Sequence, residues 1–73
     1  MKNKITAIRT WFLVKDDKTP KWVKSASIVE MTNELFYIAV DAYGSKTDTC
    51  SSLVAAKRIF GRYYYTGAKW KLV

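Results

Sequence analysis

The sequence predicts an α+β fold, a mainly antiparallel β-sheet in the order β-β-β-α-β with one α-helix packed on one face. Three observations lead there. β-branched and aromatic residues fall in short runs divided by polar breaks, as strands require. One later stretch carries its apolar residues at spacings of three and four, the signature of a half-buried helix. A chain of 73 residues has room for one hydrophobic core, so residues 1–73 are read as a single domain.

The elements follow in order. Residues 5–14 are rich in β-branched and aromatic side chains and read as a strand. Ile8, Phe12 and Val14 share one parity, and Ile5, Ala7, Trp11 and Leu13 the other. Both faces of this strand are therefore partly apolar, and at least one should be covered. KDDKTPK (15–21) is polar, and Pro20 has no amide to give to a ladder, so it reads as a turn or loop. Residues 21–31 read as a second strand with Trp22, Ile28 and Met31 its main apolar residues. After the short break TNE (32–34), LFYIAVDAY (35–43) is the clearest strand, and the short break suits an antiparallel hairpin.

GSKTDT (44–49) reads as a loop ending in helix-capping residues, with Thr47, Asp48 or Thr49 the cap. Leu53, Ala56, Phe60, Tyr63 and Tyr64 then lie on one helical face. Gly61 interrupts that pattern. A helix running to about Tyr64, with Gly67 left-handed beyond its end, is preferred because it keeps both tyrosines on the buried stripe. The competing reading stops the helix at Gly61 and makes RYYY a strand. AKWKLV (68–73) closes the fold as a short strand, with Lys69, Lys71 and Val73 opposite Ala68, Trp70 and Leu72.

Composition removes whole classes of function from the expectation. With no histidine, one cysteine and scattered carboxylates, there is no nucleophile–base pair and no zinc ligand set. An enzyme, a metal and a cofactor are therefore not expected, and Cys50 reads as an inert, buried thiol. GSKT (44–47) ends like a phosphate-binding loop but lacks the upstream glycine at the required spacing. No apolar run approaches a membrane span, and MKNKITAIRTWF lacks the apolar segment of a signal peptide. A monomer in a reducing cytoplasm, without a membrane partner, is the expectation.

Charge points to a partner. The net charge is +7, and it is uneven: residues 1–24 carry +5, residues 25–49 carry −3 and residues 50–73 carry +5. Such a chain attracts polyanions and acidic protein surfaces alike. On the helix, Lys57, Arg58 and Arg62 fall away from the apolar stripe, and Tyr65, Lys69 and Lys71 follow it. Arg9 shares the parity of Trp11 and Leu13 and so marks the edge of that face or reaches past it. These seven residues are the candidate partner-binding set, against the plainer reading of an ordinary solvated face. Arg58 and Arg62, four apart, repel weakly on one side of the helix, with no structural return unless something anionic visits. Lys15, Lys18, Lys21 and Lys24 around the first loop are adequately explained by solubility and edge protection, and their alternative role, touching phosphates, ranks below the helix. Most of Trp11, Trp22 and Trp70 are expected in the core.

The opening MKNKITAIRTWF, the SLVAAKRIF helix and the closing GAKWKLV, together with chain length, resemble the small transcription regulators that phages make early in infection. More narrowly, the chain resembles the transcription regulators of Xanthomonas phages. The resemblance implies binding to the N-terminal region of the β′ subunit of bacterial RNA polymerase. It further implies inhibition of σ-dependent initiation by displacement of σ, together with antitermination. It transfers no binding residue. SLVAAKRI followed by a glycine and a strand also resembles the helix-to-strand passage of some small anti-CRISPR proteins, which occupy the surface of a nucleoprotein. Direct nucleic-acid binding, with the same cations on phosphates and aromatic rings on bases, is the alternative.

Overall fold

The sheet grows outward from a meander of antiparallel hairpins. A computed structural model describes residues 4–42, 48–64 and 66–73. Its elements are β1 (Ala7–Val14), β2 (Val23–Met31), β3 (Phe36–Ala42), β4 (Asp48–Cys50), α1 (Leu53–Tyr63) and β5 (Lys69–Leu72). The five strands form one sheet in the order β4-β3-β2-β1-β5, with every neighbouring pair antiparallel. The α+β expectation holds, but the element order is corrected to β-β-β-β-α-β.

The extra strand comes from the segment read as a capping loop. Asp48, Thr49 and Cys50 pair with Ile38, Tyr37 and Phe36 along the free edge of β3. Their backbones are committed to the sheet, so neither Asp48 nor Thr49 caps the helix, and Thr47 lies outside the described residues. Ser52 caps instead: its Oγ accepts from the Ala55 amide at 3.0 Å, with an extended backbone at φ −155°.

Both described hairpin connections are held by side chains that take up loose amides. Between β1 and β2, the Asp16 carboxylate accepts from the amides of Lys18 (2.9 Å) and Thr19 (3.1 Å), while Thr19 Oγ1 accepts from the Asp16 amide (2.9 Å). Between β2 and β3, Asn33 Oδ1 accepts from the Leu35 amide at 3.2 Å, and Glu34 turns the chain at φ 67°.

The core lies between α1 and one face of the sheet. Val23, Ile28, Ile38, Ala56 and Phe60 are at most 1% exposed. A slip of register between Val23 and Ser25 lets Val23 join Ala26 and Ile28 in the core although its parity is opposite. The helix crosses β2, β3 and β4. On the β1–β5 side, Trp70 stands edge-on to Phe60, with ring centroids 4.9 Å apart, and Trp11 and Leu13 pack against the same cluster.

Most of the tryptophans do join the core, as Trp11 and Trp70 show. The placing of Tyr63 on the buried stripe and of Trp22 in the second strand is corrected. The helix passes through Gly61, and Tyr64 caps it with its amide on the Phe60 carbonyl. Gly67 takes the left-handed conformation beyond it, at φ 85°. Tyr64 stacks on Phe60 at 5.0 Å, but Tyr63 is 63% exposed and leaves the buried stripe. It lies about 100° round the helix from Tyr64 and lines the cleft beside the three-residue edge strand. Trp22 belongs to the turn before β2, about half-exposed, with its ring 5.7 Å from Tyr64.

Candidate functional site

The predicted binding set is divided among three places. Arg58 and Arg62 project together from the outer side of α1 into an open cleft of about 400 Å³ between the helix and β4. The cleft is completed by Ile59 and Tyr63 from the helix and Asp48 and Thr49 from the strand. The helix repeat places residues 58 and 62 one turn apart on one side, and α1 holds them rigidly because Ala56 and Phe60 anchor its opposite side. Neither arginine is ion-paired with a described residue. Lys57 is exposed but points about 100° round the helix from Arg58 and does not line the cleft.

Lys69 and Lys71 lie elsewhere. Trp70, between them, faces the helix, so the pleat of β5 sends both lysines to the opposite, helix-free face of the sheet. There they pair in register with Val14 and Phe12 of β1. Arg9 sits on the helix side of β1, opposite Glu30, and its Nε meets Glu30 Oε1 at 3.2 Å. It marks the edge of the covered face, one of the two placements its parity allowed. Tyr65 lies outside the described residues.

Sequence reasoning missed Asp48, Thr49, Ile59 and Tyr63 in the cleft, and Phe12 on the open face. Tyr63 could have been separated from Tyr64 by noticing that adjacent residues on a helix point 100° apart and cannot share one stripe centre. The role of Thr49 depends on the β3–β4 pairing, which no local pattern announced.

Chemically reactive groups are sparse. The Cys50 thiol lies 3.6 Å from the Ser52 carbonyl oxygen and 3.7 Å from that of Phe36. Burial pushes its pKa up, so the reactive thiolate is scarce at neutral pH. Among the described residues, no three His, Cys, Asp or Glu side chains gather as metal ligands would. No described helix is long and apolar enough to cross a membrane. Comparison of the chain with protein-family models, with curated proteins and with solved structures returns no match.

Proposed function

We propose that this chain is a non-catalytic regulator that acts by occupying the surface of a larger protein, with bacterial RNA polymerase as the partner. The observation that carries the proposal is the α1–β4 cleft. Two guanidinium groups without an ion-pair partner among the described residues stand beside an exposed tyrosine and a half-buried isoleucine. Arginine and tyrosine around an apolar floor are the chemistry of protein-interface hot spots. The complement is an acidic protein patch, which would also relieve the repulsion between Arg58 and Arg62. Ile59 and Tyr63 favour a protein over a bare phosphate chain, because a phosphate contact makes no use of an apolar floor.

The resemblance of the opening, helix and closing segments to phage regulators supplies the particular partner: the N-terminal region of β′. Docking there shifts the polymerase from its σ-bound, initiation-competent form, with inhibited initiation, antitermination or both as the result. The site of action is then the bacterial cytoplasm.

Titration of the labelled chain with purified, nuclease-treated polymerase tests this. Binding should weaken about 30-fold or more in an Arg58→Glu, Arg62→Glu double variant, the loss expected of a hot spot worth about 2 kcal/mol. Lys57→Glu, outside the cleft, should change it only a few-fold. Failure to bind polymerase, or binding indifferent to the double substitution, overturns the proposal. So does preferential binding of duplex DNA with log K falling by about 0.9 per phosphate contact as log salt rises.

A further inference from the structure

The helix covers one face of the sheet, and no other described element covers the second. On the bare face Phe12 is 49% exposed and Val14 41% exposed. Register fixes what surrounds them. One row across the sheet reads Lys71, Phe12, Ser27, Ala39. Two residues further along, Lys69 and Val14 stand on one side, and Ser25 and Asp41 on the other. Beside Phe12, the small side chains of Ser25, Ser27 and Ala39 leave a shallow hollow of about 250 Å³ with Asp41 at its rim. The face thus carries a knob next to a hole, and cations at one side level with an anion at the other.

We propose that this face is a self-association surface, on which two copies of the chain pack sheet to sheet about a two-fold axis. The axis runs parallel to the strands, between β1 and β2. That operation lays β1 of one copy over β2 of the other, and β5 over β3. Phe12 then enters the partner copy's hollow over Ser27, and Lys69 comes over Asp41, each contact occurring twice. A surface whose knob fits its own hole and whose cation meets its own anion under one rotation has the self-complementarity that an isologous dimer requires. Aligned sheet packing at about 10 Å is the geometry such strands adopt. The α1–β4 clefts stay free at opposite poles of the dimer.

The size of the face sets the strength. The four strands that overlap in this arrangement, about 4.8 Å apart and carrying three rows of side chains about 7 Å apart, span roughly 400 Å². A standard interface buries about 800 Å² per partner, so a face of about half that size makes a weak, transient dimer, with a dissociation constant in the micromolar-to-millimolar range.

Sedimentation equilibrium between about 5 µM and 1 mM tests this, over the range that the constant implies. The weight-average mass should climb from 8.4 kDa toward twice that value. Asp41→Lys, at an exposed position, should weaken association about tenfold, and adding Lys69→Asp should restore it. Phe12→Glu should abolish it while the monomer's circular dichroism is unchanged. A monomer at about 1 mM overturns the proposal. So does a dimer indifferent to Phe12→Glu, or a charge swap that fails to rescue. Amide shifts across this face on adding a single-stranded oligonucleotide, without self-association, would give the surface to nucleic acid instead.

Discussion

The two faces of the sheet are built from the same strands and nearly the same kinds of residue, yet they have opposite fates. Along β1, Trp11 and Leu13 pack against the cluster under α1, while Phe12, between them, is 49% exposed. Along β2, Ala26 and Ile28 are buried, while Ser25 on the other face is exposed. A side chain here is buried because an element arrives to cover it, and its own hydrophobicity decides little. One eleven-residue helix covers one face, and the described residues contain nothing that covers the second. The apolar residues left there are the material of an interface.

The largest test of this contrast sets Phe60 against Phe12. Phe60→Ala removes a fully buried ring that touches Trp70 and Tyr64, and should cost about 3–5 kcal/mol. Phe12→Ala, studied below the concentration of association, removes a half-exposed ring and should cost about 1 kcal/mol or less. Urea unfolding followed by fluorescence measures both. If Phe60→Ala fails to fold, Ile28→Val gives the covered face a milder probe at about 0.5–1.5 kcal/mol. Equal losses at Phe12 and Phe60 in the monomer would mean that the second face is covered after all.

The contrast also shows what the sequence could convey. The strand runs, the hairpins, the helix and its passage through Gly61 were legible because each is a local matter of period and turn chemistry. The alternation in β1 announced two apolar faces. β4 was not legible: three residues with one β-branched member become a strand because the edge of β3 offers them partners, a tertiary fact. The burial of Val23 depends on a register slip, which leaves no mark in composition. For the candidate site, the pairing of Arg58 with Arg62 followed from their spacing of four. Lys69 and Lys71 were grouped with the helix by nearness in sequence, whereas the pleat around Trp70 turns them to the other side of the sheet.

Two glycines sharpen the comparison at smaller scale, since both control how α1 covers its face. Gly61 lies inside the helix, and a methyl group there would meet Thr66 Cγ2 at 3.9 Å, an ordinary contact. Gly61→Ala should therefore stabilise the chain by about 0.8–1 kcal/mol, the helix propensity difference. Gly67 stands in open space at φ 85°, so Gly67→Ala should destabilise it by about 1–2 kcal/mol through the backbone alone. Thermal unfolding reads the two opposite signs. Amide exchange in β2 and β3 should slow in the first variant and quicken in the second. A loss of stability in Gly61→Ala would place the helix end before residue 61.

The smallest effect belongs to the turn between β1 and β2, at the rim of both faces. The hydrogen bond from the Lys18 amide, opposed by desolvation and aided by the bonds from Thr19 and the charge of Lys69, holds the Asp16 carboxyl below its ordinary pKa. A carboxylate whose folded pKa is depressed binds its proton more tightly in the unfolded chain. Its contribution is then fully present above the unfolded value, near 3.9, and is lost as pH falls through the lower folded value. Asp16→Asn keeps an acceptor oxygen in the turn but removes the charge. The difference in unfolding temperature between parent and variant should hold steady from neutral pH to about pH 5 and shrink below about pH 4. Because the carboxylate is exposed at the surface, the shift should be slight beside those at Phe60 or Gly67. A difference that persists unchanged at about pH 2 would show that the shape of the Asp16 side chain, and not its charge, holds the turn.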